Sequence, residues 1–268
     1  MTASIAPTHP IAPYFGDKFY LAKKIVPIIE SIEHSCYVEP FCGMGNVFLR
    51  LPARRRSECL NDLNGEIVNL FRVVQSDYRA LVKAFRWFLP SRAEINRLAA
   101  LNPAYLNSVE RAARWLALQK MCFGGKQTSG RYGIHTKRRC RCRVSRITEQ
   151  VKALHNRLDG VWLENLPYDQ LIARWDRPHT LFYLDPPYYG HEKDYGEGFC
   201  RDDFAHLADI LARIKGKFVL SLNDLPVIRE IFSSFKINPI EAAYCVNNMK
   251  GQGRTIKREV LITSRGTR

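Results

Sequence analysis

The tetrapeptide Asp185-Pro186-Pro187-Tyr188 follows directly on Leu181-Phe182-Tyr183-Leu184, an apolar run that reads as a buried strand. In an open parallel sheet, ligands bind at the carboxyl ends of strands, so these four residues stand where a site belongs. Pro187 has no backbone N–H and keeps Pro186 extended. The Pro186 carbonyl and the Asp185 carboxylate can then face one donor group, and an amino group offers two hydrogens to those two acceptors. With both hydrogens drawn out of the ring plane, the lone pair of an exocyclic amine is freed to attack an electrophilic carbon. Tyr188 adds a π-face on which a base could stack, a contact of about 1–3 kcal/mol. The plainer alternative is a Pro-Pro turn with Asp185 as a cap and Tyr188 as packing.

A second constellation is Tyr37-Val38-Glu39-Pro40-Phe41-Cys42-Gly43-Met44-Gly45-Asn46. Its two glycines fall where a strand turns toward a helix, which lets backbone approach a ligand closely. Asp62 closes the next strand, the position from which an acidic side chain reaches ribose hydroxyls in nucleotide-type sites. The third glycine of the dinucleotide fingerprint is missing, which argues against NAD.

The elements that must carry these residues alternate at first. The spacing predicts a helix over 18–32 that can kink at Pro27, a strand over 36–39, a helix over 46–51, a strand over 57–61 and a helix over 64–75. Three helical stretches follow at 77–88, 91–101 and 109–121, then an aperiodic segment over 122–144 and a helix over 147–158. Alternation resumes with strands at 161–163, 180–184 and 218–222, helices at 168–173, 202–214 and 225–232, and a hairpin-like end over 236–262. The expected fold is therefore α/β, a Rossmann-like sheet with helices on both faces, residues 1–89 and 160–268 forming one domain around a mostly helical insertion at 90–159.

Charge points to a polyanion. The 268 residues carry 41 Lys plus Arg against 26 Asp plus Glu, a net +15, and phosphate neutralisation supplies most non-specific nucleic-acid affinity. Residues 111–146 hold eleven of those basic groups and no acidic one, so the rest of the chain carries only +4. Trp115, Phe123, Tyr132 and His135 interleave with them, which suits a nucleic-acid surface better than a solvated charged face. Apolar runs stay short of the roughly 20 residues that span a bilayer, and the start lacks a signal pattern. The expectation is a cytoplasmic protein that touches no membrane. Its eight cysteines are scattered, and the closest pair, Cys140 and Cys142, lacks zinc-type partners, so free thiols and no metal are expected.

These residues together resemble the Dam-type (D12 class) adenine-specific DNA methyltransferases of bacteria and phages, over nearly the whole chain. Tyr14-Phe15-Gly16-Asp17-Lys18 is similar to that family's N-terminal element, Tyr37 to Asn46 to its S-adenosylmethionine motif, Asn61-Asp62-Leu63-Asn64 to its ribose segment, and Asp185 to Tyr188 to its catalytic motif, in the same order. The resemblance implies transfer of a methyl group from S-adenosyl-L-methionine to N6 of a flipped-out adenine in double-stranded DNA. It implies that Asp185, Pro186, Pro187 and Tyr188 are catalytic. Tyr14, Gly16 and Lys18 would enclose the methionine end of the cofactor, Glu39, Phe41, Gly43 and Gly45 would line its pocket, Asp62 would hold the ribose, and Asp185 would lie near the sulfonium. Residues 123–137 correspond to a hairpin that enters DNA, and residues 221–224 and 250–257 to elements near the catalytic loop and the phosphates. The DNA-contacting set is Lys126, Arg131, Tyr132, Lys137, Arg138, Arg139, Arg141, Arg143 and Arg254.

Two features depart from the pattern. Glu164-Asn165-Leu166-Pro167-Tyr168 lacks the acidic residue many relatives place near Pro167, and the run from Lys137 to Arg143 is more basic than expected. The rival readings are an amino-methyltransferase acting on RNA adenine or on N4 of cytosine in DNA, and a non-catalytic DNA-binding module. A monomer is expected.

Overall fold

The computed structural model describes residues 7–14, 18, 21–86, 88–121, 142–191, 199–244 and 255–264. Gly16, Lys126, Arg131, Tyr132, Lys137, Arg138, Arg139, Arg141 and Arg254 lie outside the described residues, as do the side chains of 241–244 and 255–257. Among the described residues the strands form one sheet in the order β3-β2-β1-β4-β5-β7-β6. They are β1 Cys36–Glu39, β2 Ser57–Asn61, β3 Trp162–Glu164, β4 Thr180–Leu184, β5 Lys217–Asn223, β6 Lys236–Tyr244 and β7 Thr255–Thr263. β1 to β5 pair in parallel, while β7 lies antiparallel between β5 and β6.

Period-2 alternation divides the apolar residues of the sheet between its faces. Tyr37, Leu60, Leu181, Tyr183 and Val219 turn to one side, where α2 Gly65–Phe85, α4 Ser108–Met121 and α5 Val144–Leu158 cover them. Val38, Cys59, Phe182, Leu184 and Leu220 turn to the other, under α6 Tyr168–Trp175, α7 Asp202–Leu211 and α8 Pro226–Ile231. α1 Ala22–Ser31 and α3 Arg92–Ala100 join the first layer through Ile25, Ile29, Ile95 and Leu98. The helices of residues 90–159 thus share the core that packs on the sheet.

Two expectations, the helix at 46–51 and the start of α1, are corrected. Residues 46–51 form only a 3₁₀ turn, Phe48–Arg50. Pro52 follows and disfavours a helical Leu51, which is extended at φ −63°, ψ 131°. The helices expected at 64–75 and 77–88 are both present, as the two halves of α2 that meet at a non-helical Asp77 (φ −151°, ψ 72°). There the Asp77 Oδ1 accepts the Ala80 N–H at 3.0 Å and caps the second half from within. α1 starts at Ala22 rather than at 18 and keeps Pro27 inside it.

Candidate active site

The sheet order reverses between β1 and β4. β2 and β3 lie on one side of that pair and β5 on the other, which leaves a crevice beyond the carboxyl ends of β1 and β4. Glu39 ends β1, and Asp185 is the first residue after β4.

Beyond β1 the chain turns through Gly43 (φ +47°) and Gly45 (φ +69°), a backbone region that glycine enters without steric cost. A Cβ on Gly43 would stand 3.3 Å from Cδ1 of Tyr14, so the turn and the Tyr14 ring are in close apposition. The Gly43 N–H donates to Asp62 Oδ2 at 2.8 Å, and the Asn64 N–H donates to Oδ1 at 2.9 Å. Burial nevertheless pushes the Asp62 carboxyl up to about 6. Burial raises the Tyr14 phenol too, with the Asp62 charge as a second cause. Asn61, 1% exposed, ties the strand ends together. Its Nδ2 donates to the Pro40 and Leu166 carbonyls at 2.9 and 3.0 Å, and its Oδ1 accepts the Leu166 N–H at 2.8 Å.

Glu39 is fully buried and accepts the Tyr37 hydroxyl at 2.7 Å. Burial outweighs that bond and lifts its carboxyl to about 8, and the charge of Asp185 is a further raising cause. Phe41 leans to the other wall, 5.5 Å from the Tyr168 ring and 5.7 Å from that of Phe199.

Asp185 keeps 19% of its side chain exposed. Its Oδ1 receives Lys18 Nζ at 3.1 Å and the Ser221 hydroxyl at 3.0 Å, and Ser221 in turn lies 3.1 Å from the buried Tyr183 hydroxyl. Neither contact uses Oδ2. Burial pushes this carboxyl to about 6 although Lys18 pulls the other way. Pro186 and Pro187 are buried and Tyr188 is half-buried. The loop is pinned to β5, because the Tyr189 N–H donates to Asn223 Oδ1 at 3.2 Å and Asn223 Nδ2 donates back to the Tyr189 carbonyl at 3.0 Å. Glu259 on β7, 1% exposed, accepts the Tyr188 hydroxyl and lies 3.4 Å from Lys18 Nζ.

The structure therefore brings Tyr14, Glu39, Gly43, Gly45 and Asp62 together on one side of the crevice and Asp185 to Tyr188 on the other. Lys18 stands with the second group, its ammonium 4.0 Å from the centre of the Tyr188 ring. Arg143 is exposed at the start of α5. Glu259 escaped the sequence reading, as did the part Asn61 plays in tying the strand ends together. Among the described residues there is no group of three or more His, Cys, Asp or Glu able to hold a metal, and no helix long and apolar enough to cross a membrane.

A family model described as D12 class N6 adenine-specific DNA methyltransferase matches residues 14–246. A type II methyltransferase of Lactococcus lactis subsp. cremoris is 23% identical over 96% of this chain and 95% of its own length. A DNA adenine methylase of Vibrio cholerae is 26% identical over 84% of the chain and 85% of its length. A DNA N-6-adenine-methyltransferase of Escherichia phage P1 is 26% identical over 94% of the chain, which spans 35% of that relative.

Proposed function

The chain belongs to the D12 class N6 adenine-specific DNA methyltransferases, and from that premise we propose how its residues share the work of methylating adenine in DNA. The observation that carries the proposal is the state of Asp185. It sits at the switch point with Oδ1 held by Lys18 and Ser221, so Oδ2 is the oxygen left to accept a hydrogen from the target amine. The Pro186 carbonyl accepts the other hydrogen, and the Tyr188 face stacks on the base. The exocyclic nitrogen is buried in the DNA stack until the nucleotide swings out, at a cost of a few kcal/mol that these contacts offset. Holding the amine in line then supplies most of the acceleration.

The opposite wall fits S-adenosyl-L-methionine. Tyr14 against a glycine turn makes a floor that a Cβ would obstruct, and the buried Glu39 and the part-buried Asp62, with Asp185 facing them, are acids whose raised proton affinities a cationic ligand would relieve. Gly43, Gly45 and Phe41 would line the pocket, and Asp62 would take the ribose hydroxyls with the lone pairs its backbone donors leave. When bound, this group supplies the electrophilic methyl.

DNA would be held beside this crevice by residues 90–159. α4 runs along the Tyr14 segment, since Gln119 Nε2 donates to the Pro13 carbonyl at 2.8 Å and Trp115 lies 6.4 Å from Tyr14. The basic segment 122–141 leaves from the end of α4, and Cys142 packs back on Ala117, 4.0 Å from its carbonyl. Met121 and Cys142, the described residues on either side of that segment, thus both sit on α4, the helix beside the Tyr14 segment, which supports placing Lys126, Arg131, Tyr132, Lys137, Arg138, Arg139 and Arg141 on the phosphates. The test is Asp185→Ala. Methyl transfer to DNA, read as N6-methyladenine after digestion to nucleosides, should vanish while retention on DNA persists. A wild-type rate, or modification found only in RNA or on cytosine, would refute the assignment.

A further inference from the structure

Glu259 has no part in the machinery set out above, yet it is buried behind the catalytic loop and touches two of its members. β7, inserted between β5 and β6, carries Glu259 opposite Asn223 of β5, the residue that pins Tyr189. Its Oε2 takes the Tyr188 hydroxyl and lies 3.4 Å from the ammonium of Lys18, whose other carboxylate, Asp185, is 3.1 Å away. Lys18 and Tyr188 also touch each other directly, the ammonium donating to the phenol oxygen.

We propose that Glu259 is a positioning residue for methyl transfer: it anchors the Tyr188 ring through its hydroxyl and draws Lys18 partly away from Asp185. The inference rests on the catalytic reading of Asp185 and Tyr188. The geometry makes Lys18 a shared cation. One ammonium placed between the buried Glu259 and the part-buried Asp185 divides its hydrogen bonds between them, so a neutral residue at 259 would leave Asp185 as its only carboxylate partner among these contacts. The ammonium would then compete with the incoming amine for the Asp185 lone pairs, and the Tyr188 hydroxyl would trade a charged acceptor for a neutral one and hold the ring less firmly. Both consequences fall on the reacting geometry rather than on the surfaces that collect DNA or cofactor.

The experiment compares Glu259→Gln, Glu259→Asp, Tyr188→Phe and the Glu259→Gln/Tyr188→Phe double variant in the full chain. Single-turnover rates are read at saturating S-adenosylmethionine and DNA, with KM for each measured separately. Glu259→Gln should slow turnover by about 10- to 100-fold, the loss expected when a hydrogen bond to a buried charge is removed, with both KM values within about twofold. Glu259→Asp should restore part of the rate. Because Glu259 acts through the Tyr188 hydroxyl, the double variant should lose less than the product of the two single losses. A wild-type rate for Glu259→Gln, a loss confined to KM, or fully multiplicative losses would overturn the inference. If Glu259→Gln fails to fold, Tyr188→Phe, which leaves β7 untouched, must still lower turnover at unchanged KM, and a wild-type rate there is equally fatal. The underlying reading fails separately: an active Asp185→Ala enzyme sinks both, whereas an inactive one beside a fully active Glu259→Gln enzyme sinks this inference alone.

Discussion

Glu39 stores a cost in the fold that pH can reveal. Its carboxyl ionises at its ordinary 4.5 in the unfolded chain and at about 8 in the folded one, because burial disfavours the charge more than Tyr37 supports it. The folded protein therefore keeps a proton that the unfolded chain sheds, and stability falls as pH rises from about 4.5 to about 8. At neutral pH the cost is roughly 3 kcal/mol, from 1.36 kcal/mol per tenfold change in proton affinity. Glu39→Gln keeps an oxygen for the Tyr37 hydroxyl but no longer titrates. Melting of the ligand-free protein between pH 5 and pH 7.5 should show the wild type losing more than the variant. The difference should reach roughly 6–12 °C, at about 2–4 °C per kcal/mol in a chain of this size. Asp62, Asp185 and the net charge act on both proteins, so the difference curve isolates Glu39. Parallel curves would show that Glu39 ionises normally and would refute the electrostatic description of this wall.

Gly43→Ala should weaken S-adenosylmethionine binding at least tenfold in calorimetry. A left-handed alanine costs about 1–2 kcal/mol, and its Cβ would press on Tyr14 at 3.3 Å; unchanged affinity would count against the floor described above. Arg157→Met should lower stability by about 3–5 kcal/mol in urea unfolding, since it strands the buried Glu58 now held at 2.6 and 2.9 Å. The Glu58→Gln/Arg157→Met pair should recover part of that loss. With DNA saturating, kcat/KM for S-adenosylmethionine, which reports the cofactor-free state, should rise with pH through about 6, because Asp185 must shed its proton to face the sulfonium and accept the amine hydrogen. A profile flat down to pH 5 would contradict that role.

Much of this was legible in the sequence for physical reasons. Cys36–Glu39, Ser57–Asn61 and Thr180–Leu184 were read with their observed bounds, since each is a short run closed by a turn-forming residue, Pro40, Asp62 or Asp185. The error at 46–51 arose where one residue overrode periodicity, Pro52 by stopping a helix, whereas the break at Asp77, which caps the second half of α2, fell between the two helices that were expected. The motif residues converge because parallel strands deliver their carboxyl ends to one edge. What stayed hidden depends on tertiary pairing. Nothing local reveals that β7 slips between β5 and β6, and only that insertion carries Glu259 to Tyr188 and Lys18.

The most direct trial of the central idea is a crystal structure with a non-reactive cofactor analogue and a DNA duplex carrying the target adenine. Asp185 Oδ2 and the Pro186 carbonyl should each lie within about 3.2 Å of N6, with the Tyr188 ring against the extruded base and Lys18 still on Oδ1. An adenine still stacked in the duplex, or an N6 bonded to neither acceptor, would contradict the account.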